Sequence, residues 1–499
     1  MFSIDLLSDN LLLLASILVF FAILTTKIGS RFGVPSLLLF LILGMVVGTD
    51  GLGLQFHDYD LADAIGHFAM AIILFTGGLQ TSLTDIKPVR LRGLMLSSLG
   101  VLLTSMLTGI FIYFVAGKAI GALGSSLLGC FLVAAVMAST DSASVFSLLH
   151  GKRLRLRHSL GPMLELESGS NDPLAYILTI LLTKYYLSSV PQQDVINSFT
   201  PSPTFLALFG FLSLLLQLVV GYLVGVGVGK LTVLVIKKVK LPGTSLYSIL
   251  ILSSAFFASG LASIIGGCGL LALYVAGIII GNEAPIPGKK DVHKFFDGMM
   301  WLMQLLMFLV LGLLARPTQM PRMLVPALLI GLFMIFIARP VSVFTSLLPF
   351  RQLPFKAKLF TSWVGLKGAG PILFALYPVV KDVEGASDIF NLVFLITLLS
   401  LLIQGMTLAP VAKWLGLSYD EDPPVESFGL ELPEEMGILR DHVVSEEDLL
   451  NGKTVRELSF PHGIRLVMIK REERFLVPHG SMELQPGDHL MIVMGDSDD

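Results

Sequence analysis

Apolar segments of membrane-spanning length follow one another along most of the chain, separated by short polar breaks. A segment of about 20 apolar residues is long enough to cross the hydrocarbon core of a bilayer as a helix. The pattern therefore predicts a polytopic α-helical membrane protein with about thirteen transmembrane helices. The predicted spans occupy residues 8–26, 34–49, 60–80, 91–116, 119–149, 158–187, 203–236, 243–264, 268–283, 295–315, 322–348, 357–380 and 386–413. We interpret the first span as retained rather than cleaved as a signal peptide.

The basic residues of the loops are distributed unequally between the two sides that these spans create. One side carries Lys27, Arg31, Lys87, Arg90, Arg92, Lys152, Arg153, Arg155, Arg157, Lys237, Lys238, Lys240, Lys289, Lys290, Lys294, Arg351, Lys356 and Lys358. The other side carries only Lys118, Lys184, Arg316, Arg322 and Lys381. Because short cytoplasmic loops are enriched in Lys and Arg, we expect the first side to be cytoplasmic. This predicts a multi-pass protein of the cell (inner) membrane, with its N-terminus outside and its C-terminus in the cytoplasm.

Two of the long apolar spans contain polar or Gly/Pro-rich interruptions. The fifth span contains ASTDSAS at residues 138–144, and the twelfth contains GLKGAGP at residues 365–371. Spans 1–6 and spans 8–13 can be matched as two six-helix units on either side of span 7. Both interruptions then fall in the fifth helix of their unit. Because span 7 crosses the membrane once more, the second unit has the opposite orientation in the membrane. Discontinuous helices at corresponding positions of two inverted repeats indicate the midplane site of a transporter.

A shorter internal similarity links the second and ninth spans, which end GMVVG (44–48) and GIIIG (277–281). It fits the same repeat, but it is also typical of unrelated helix faces that pack through small residues.

The composition narrows the class of protein. The chain is 54% hydrophobic and 14% charged, whereas a soluble domain averages about 25% charged residues. This excludes a soluble globular protein, and the net charge of −3 argues against nucleic-acid binding. The two cysteines, Cys130 and Cys268, lie in apolar segments and are expected to be buried residues rather than a disulfide or metal site.

The pattern changes after the last apolar span. Residues 1–415 form the predicted transmembrane domain, and residues 416–440 are acidic and rich in proline, as in a linker. Residues 441–499 consist of short runs such as KTVREL, GIRLVMIKR, ERFLVP and HLMIVM, separated by turns such as QPGD. This pattern predicts a small α/β domain on the cytoplasmic side.

Candidate chemistry is concentrated in the sixth span, which reads ELESGSNDP over residues 165–173. A carboxylate in hydrocarbon costs at least about 2.5–3.5 kcal/mol, so acidic residues inside a membrane are functional candidates by default. On a helix, Ser168 and Asp172 share one face, while Glu167 and Asn171 share the adjacent face. One helix therefore offers two polar faces, which suits a cation site that has a second wall.

The interrupted fifth span is the candidate for that second wall. Asp141 is expected to face helix N-termini, and the Thr140 carbonyl, freed by the break, is available to a cation. The simpler alternative is that Asp141 only caps the break. Asp172 is the candidate exchanging carboxylate, since one buried carboxylate that holds either a proton or a cation is the simplest antiport chemistry. The Ser168 hydroxyl adds a hard oxygen ligand.

The remaining charged residues of the spans receive supporting roles. Glu167 is expected to pair with Arg339, the Arg that lies deep in an apolar span, in a structural ion pair. Glu165 is left unassigned, near the start of its helix. Two interpretations stay open for Lys367: it neutralises facing helix C-termini, or it lies near a cytoplasmic opening and extends its ammonium to the surface.

With TDSAS and ESGSNDP, residues 8–413 resemble the NhaP-type branch of the monovalent cation:proton antiporters, with its broken fifth helix and an Arg in the eleventh. The resemblance implies that Asp172, Asp141, Ser168 and the Thr140 carbonyl bind the ion, that Asn171 supports Asp141, and that Glu167 pairs with Arg339. It also implies a homodimer, an elevator-like mobile core and, because the residue before Asp172 is Asn, electroneutral exchange. Many relatives have an acid in the third span, where this chain has Thr76 in FTGGL.

Residues 441–499 resemble the C-terminal subdomain of RCK (TrkA-C) regulators of potassium transport, through GKTVREL, GIRLVMIKRE and FLVPHGSMELQPGD. No GxGxxG half precedes this segment, so the resemblance does not imply a dinucleotide. A small regulatory ligand and simple dimerisation both stay open. NhaP-type potassium/proton antiporters often carry this module, which favours K+ over Na+.

Together these features predict a secondary transporter, not an enzyme, with no cofactor, that exchanges K+ or Na+ for H+. The alternatives are a cation channel gated by the RCK-like tail and a transporter of another class, such as an anion carrier. A channel requires a carbonyl filter or a symmetric ring of acids, and the chain contains no TVGYG-like loop. Two acids at the site argue against an anion.

Overall fold

The structure is a computed structural model that describes residues 11–32, 34–117, 120, 123–141, 145, 154–189, 203–420, 439–444, 448–450, 453–457, 464–471 and 474–494. Its main helices are α1 Leu11–Phe32, α2 Ser36–Val47, α3 Tyr59–Gln80, α4 Arg90–Val115, α5 Leu127–Val136, α6 Leu160–Ser189, α7 Pro203–Lys238, α8 Thr244–Ile265, α9 Gly269–Glu283, α10 Lys289–Leu314, α11 Pro321–Ser346, α12 Phe355–Trp363, α13 Ala369–Val380 and α14 Ala386–Trp414. A one-turn helix, Leu83–Ile86, follows α3.

Within the described residues, seven helices are long and apolar enough to cross a membrane: α3, α4, α7, α8, α10, α11 and α14. Five shorter apolar helical segments accompany them. A polytopic helical membrane protein is therefore confirmed. The count of thirteen spans and the inverted repeat stay predictions.

The helices of the membrane part pack in two groups. In one, α2 and α3 pack on α10, while α9 packs on α3, α7 and α8. In the other, α4, α5 and α6 pack together, α14 packs on α11 and α13, and α11 contacts α4. The groups meet mainly where α3 lies against α13, with smaller contacts of α6 with α9 and of α10 with α13. The boundary between the groups is where the candidate site lies.

The two glycine motifs GMVVG and GIIIG are both helix-packing faces. A Cβ on Gly44 would lie 2.8 Å from the Cα of Gly312, so α2 approaches α10 closely. A Cβ on Gly277 would lie 2.7 Å from the carbonyl oxygen of Phe75, so α9 approaches α3 in the same way. If spans 1–6 match spans 8–13, α2 corresponds to α9 and α3 corresponds to α10. The contact of α2 with α10 then corresponds to the contact of α9 with α3. Both motifs are therefore helix faces that pack through small residues, which is the alternative interpretation given above. This packing is also compatible with the predicted repeat.

Among the described residues, each predicted interruption contains a non-helical segment. Helix α5 ends at Val136, and residues 138–141 have no regular structure. Residues 142–144, the rest of ASTDSAS, lie outside the described residues. In the twelfth predicted span, α12 and α13 are separate helices joined by the non-helical residues 365–368. Cys130 and Cys268 are buried free thiols, as predicted.

The chain divides into two compact units, Met1–Tyr419 and Asp420–Asp499. The first also contains β1 (Leu154–Leu156), which pairs with β2 (Ser418–Asp420). In the second, β3 (Leu439–Val443), β4 (Ile464–Arg471), β5 (Arg474–Leu476) and β6 (His489–Met494) form an antiparallel sheet in the order β3-β6-β4-β5.

The small core of this sheet contains Val444, Ile469, Leu484, Leu490 and Ile492. Strand β3 begins at Leu439, inside the segment that the composition predicts as linker. The described part of the KTVREL run, residues 453–457, forms one isolated bridge, between Thr454 and Glu483, and turns rather than a strand. The other three apolar runs correspond to β4, β5 and β6.

Candidate cation-binding site

The two interruptions cross each other at the centre of the candidate site. The backbone N–H of Asp141 donates to the carbonyl oxygen of Leu366 at 2.9 Å, which joins the two non-helical segments directly. Gly368 allows this approach, because a Cβ there would lie 2.6 Å from the Cβ of Asp141. Broken helices are tolerated in a membrane only where the freed backbone groups find partners, and here the two breaks supply them to each other.

Charged side chains at the crossing face helix ends. Asp141 packs against Gly368, which precedes the first residue of α13, so its carboxylate faces the positive end of that helix. Lys367 is 6% exposed, and its Nζ donates to the Ser139 carbonyl oxygen at 2.8 Å, just beyond the end of α5. The backbone N–H of Lys367 donates to Ser400 Oγ of α14 at 2.9 Å. The structure thus places Lys367 at the crossing rather than at the protein surface.

Helix α6 packs against the interruption at residues 139–140, on the same side of the site. Ser168 Oγ donates to the Thr140 carbonyl oxygen at 2.7 Å, and Asn171 Nδ2 donates to Thr140 Oγ1 at 2.5 Å. The Ser139 hydroxyl donates to Asp172 Oδ1. All of these side chains are buried. The faces predicted for α6 therefore both lie against residues 139–140.

One cavity contains both candidate carboxylates. Its first wall includes Ser139, Asp141, Asp172 and Gly370, and its second wall, from α3 and α10, includes Met70, Ile73, Leu74, Gln304, Met307 and Phe308. Hydroxyl and carboxylate oxygens are the ligands that hard alkali cations prefer. A mostly apolar opposite wall raises the cost of leaving a charge unpaired here, which favours binding of a cation or a proton.

Two of the predicted ligands lie outside that cavity wall. The Thr140 carbonyl accepts the Ser168 hydroxyl, and the two groups face each other across the α5–α6 contact. Conversely, Ser139 and Gln304 line the cavity and were not among the predicted residues. Within this non-helical segment, Ser139 and Asp141 both line the cavity, whereas Thr140 contacts Asn171 of α6.

Glu167 and Arg339 lie together behind the site. Arg339 Nη2 is 2.5 Å from Glu167 Oε1, and the side chains are 6% and 1% exposed. Neither of these two atoms has a well-aligned hydrogen bond within the described residues, so the contact is primarily electrostatic. Gly365 leaves room for the arginine, since a Cβ there would lie 3.0 Å from Arg339 Cγ and Nε.

Glu165 lies in a contact between the two helix groups. The Thr81 hydroxyl, just after α3, is shared between the Gly77 carbonyl at 2.7 Å and Glu165 Oε1 at 3.0 Å. Nearby, the Tyr274 ring of α9 packs on Gly169, where an added Cβ would lie 2.6 Å from the phenol oxygen. Glu165 is seven residues before Asp172 and therefore lies on the same side of α6, two turns away.

Thr76, at the position where many NhaP-type proteins have an acid, does not line the cavity. It is fully buried, and its hydroxyl donates to the Ile72 carbonyl within α3 at 2.7 Å. The third predicted span thus contributes apolar residues to the cavity, among them Met70 and Leu74.

Comparison with known proteins places the chain in a family. A family model described as sodium/hydrogen exchanger, transmembrane, matches residues 16–414, and a TrkA-C domain model matches residues 439–498. The K(+)/H(+) antiporter NhaP2 from Shewanella baltica (strain OS223) is 35% identical over 488 residues, covering 97% of this chain and 81% of that protein. The K(+)/H(+) antiporter NhaP from Alkalimonas amylolytica is 35% identical over 472 residues, covering 94% of this chain and 75% of that protein.

A solved structure has the same fold at lower identity. The sodium proton antiporter MjNhaP1 from Methanocaldococcus jannaschii at pH 8 superposes with a TM-score of 0.65 at 23% identity, over 80% of this chain and 97% of that chain. The fold, the extent of the family match and the similarity to the relatives agree. The chain therefore belongs to the sodium/hydrogen exchanger family of cation/proton antiporters and carries a TrkA-C domain after its membrane part.

Proposed function

We propose that the protein is a secondary transporter that exchanges one K+ for one H+ at Asp172, with Na+ as the alternative ion. The observation that carries the proposal is the single cavity that contains Asp141 and Asp172, formed where two broken helical spans cross. The proposal needs no cofactor, because both substrates bind to side-chain oxygens.

Asp172 is the group over which the two substrates compete. In one half of the cycle it holds a proton, and in the other a cation that Asp141 and nearby hydroxyl oxygens help to hold. The Ser139 hydroxyl donates to Asp172 and stabilises the charged form. The Ser168 hydroxyl and the Thr140 carbonyl, which contact each other in this state, join the cation if α6 and residues 139–141 shift slightly.

The position of the cavity supports alternating access. One wall comes from the helix group of α5, α6 and α13, and the other from α3 and α10. Movement of one group against the other exposes the same carboxylates first to one side of the membrane and then to the other. An elevator-like movement, a homodimer and a cytoplasmic tail are part of the proposal and come from the NhaP-type resemblance.

One-for-one exchange follows from the number of free carboxylates. Glu167 is paired with Arg339, and Asp141 faces the N-terminal end of α13. Asp172 is then the one carboxylate of the site that changes its charge in each cycle. Binding one cation for each released proton moves no net charge.

The choice of K+ over Na+ rests on the relatives. NhaP2 and NhaP are named as K(+)/H(+) antiporters, and their similarity extends over 97% and 94% of this chain. The Na(+)/H(+) antiporter NhaG from Bacillus atrophaeus is 29% identical over 298 residues, which cover 58% of this chain. We infer the same ion for this chain, with the TrkA-C domain in a regulatory role.

Exchange in proteoliposomes tests the proposal directly. With an imposed pH gradient, addition of K+ should collapse the gradient from either direction, and comparison with Li+, Na+ and Rb+ ranks the ions. Asp172→Asn should abolish exchange, whereas Asp60→Asn, at the exposed start of α3, should retain it. Exchange that survives in Asp172→Asn removes Asp172 from the central role. Ionic current without proton movement would instead identify a tail-gated channel.

The stoichiometry has a separate test. If one cation exchanges for one proton, the rate should not change when a membrane potential is imposed with valinomycin and a K+ gradient, using Na+ or Li+ as the transported ion if either is accepted. Solid-supported membranes should record no transport current. A sustained current with proton movement would contradict one-for-one exchange while leaving antiport itself intact.

A further inference from the structure

A surface cleft lies at the connection between α11 and α12, away from the cation cavity. It has a volume of about 720 Å³ and is lined by Phe344, Leu348, Arg351, Phe355 and Lys358, together with Pro349 and Leu353. A cleft of this size is large enough for a small molecule or a lipid headgroup with the first part of its chains.

The cleft has a strongly positive edge. The chain contains no Asp or Glu between Arg322 and Lys381, so its own connection provides no acid to neutralise Arg351 and Lys358. Lys358 Nζ donates one proton to the Leu347 carbonyl oxygen at 2.9 Å, at the end of α11, which leaves two protons for another acceptor. A third cation is close by, because the Arg92 guanidinium of α4 lies 5.7 Å from the centre of the Phe350 ring.

The other surface of the cleft is apolar and open. Leu348 is 72% exposed and Phe355 is 68% exposed. The Phe344 and Phe355 rings lie 5.3 Å apart and connect the ends of the two helices. An apolar surface beside two cations, at the end of a membrane-spanning helix, matches the two parts of an anionic phospholipid.

We propose that this cleft binds an anionic phospholipid from the leaflet on the side of the basic loops. The phosphate accepts hydrogen bonds from Arg351 and Lys358, whose charge-assisted bonds to phosphate are stronger than neutral ones. The acyl chains lie along Leu348 and Phe355. The proposal concerns the lipid partner of the protein and does not depend on which ion is exchanged.

Native mass spectrometry of the delipidated full chain tests the site, with phosphatidylglycerol and phosphatidylcholine of identical chains as probes. The first phosphatidylglycerol should bind more tightly than phosphatidylcholine. In the double variant Arg351→Gln/Lys358→Gln, its dissociation constant should rise at least tenfold, while thermal stability stays unchanged. The matched control is Lys237→Gln/Lys238→Gln, which removes the same charge from the exposed end of α7.

Equal weakening in both double variants would mean non-specific attraction to basic loops and would overturn the proposal. The same conclusion follows if the wild-type chain does not prefer phosphatidylglycerol. Phe355→Ser should weaken phosphatidylglycerol binding without a change of charge. Glycerol 3-phosphate should fail to displace the lipid at equal concentration; displacement would mean that the cleft recognises a soluble phosphate rather than a lipid.

Discussion

Gly368 is the residue on which the crossing of the two interruptions depends most directly. A Cβ at this position would lie 2.6 Å from both Cβ and Cγ of Asp141, a distance that real Cβ atoms do not adopt. Gly368→Ala must therefore displace the carboxylate from the end of α13. We expect exchange to fall at least tenfold in proteoliposomes. Gly260→Ala in α8, where an added Cβ meets no atom within 4 Å, is the matched control and should exchange normally.

The Glu167–Arg339 pair has a structural role that can be separated from transport. Removing one partner of a buried ion pair leaves the other charge uncompensated, which costs about 3–5 kcal/mol. Glu167→Gln should therefore lower the thermal unfolding temperature in detergent, while Glu283→Gln, at the exposed end of α9, should not.

The double variant Glu167→Gln/Arg339→Gln completes the test of this pair. A buried ion pair and a neutral replacement of similar volume differ little in stability, so the double variant should be more stable than Glu167→Gln alone. Equal stability of Glu167→Gln and the wild type would contradict a structural role for the pair.

The role of a residue was predictable from the sequence where a charged side chain interrupted an apolar span. Arg339 and Glu167 stood out as charges in apolar spans, and pairing them followed from the cost of burying each alone. Side-chain direction within an interruption was not predictable, because no helical period applies there. Ser139 was therefore missed, although it is adjacent to Thr140, and Gln304 was missed as a single amide in an apolar helix.

At the scale of the elements, wide helical turns position residues around the site. Helix α11 has a π-helical turn at Met334–Ala338, directly before Arg339, and α14 has one at Leu401–Gly405, directly after Ser400. Such turns insert an extra residue and rotate everything that follows, and they are frequent at functional sites. Amino-acid pattern does not encode them, because they depend on packing against other helices. The sequence therefore predicted the depth of Arg339 and its pairing with Glu167, but not the wide turn that precedes it.

The contact of Thr81 with Glu165 links α3 to α6 and can be tested as an inter-element contact. Thr81→Val keeps the shape but removes the hydroxyl, which leaves the carboxylate without this partner at a cost of about 1–3 kcal/mol. We expect faster amide hydrogen exchange in the first turns of α6. Thr76→Val is a close control, because that hydroxyl is also buried, lies within α3 and donates to the Ile72 carbonyl of the same helix. Equal uptake in the two variants would mean that the contact does not stabilise α6.

At the scale of the whole molecule, hydropathy and family motifs together predicted the class and the order of the elements. Long apolar spans need no tertiary information to be recognised, since length and composition suffice. The grouping of helices around the cavity was not predictable, because pairs such as α2 with α10 join segments far apart in the chain. The sheet domain was predicted from its apolar runs, except for β3, whose LRDHV sequence lacks an alternating apolar pattern and whose first two residues lie in the predicted linker.

The TrkA-C domain has an internal ion pair that makes its stability depend on pH. Arg471 Nε and Nη2 donate to Asp488 Oδ1 and Oδ2, both at 2.8 Å, and the backbone N–H of Gln485 donates to Oδ2 at 2.9 Å. Burial raises the pKa of Asp488, but the hydrogen bonds from Arg471 and Gln485 lower it further, so the net pKa lies below the usual 3.8. A carboxyl group whose pKa is lowered by folding stabilises the folded state fully at pH values above its unfolded-state pKa. This stabilisation is lost as the pH falls through the folded-state pKa. The pair should therefore contribute fully at neutral pH and weaken only below about pH 4.

Arg471→Gln should remove that contribution at neutral pH. The side chain of Asp488 is 1% exposed, so the variant leaves a buried carboxylate with fewer donors, at a cost of about 1–3 kcal/mol. Amide hydrogen exchange in β4 and β6 of the full chain should accelerate by about tenfold for each 1.4 kcal/mol lost. Arg474→Gln, on the exposed face of β5, removes the same charge without touching Asp488 and should leave exchange unchanged. If both variants accelerate exchange equally, the effect belongs to net charge and not to the pair.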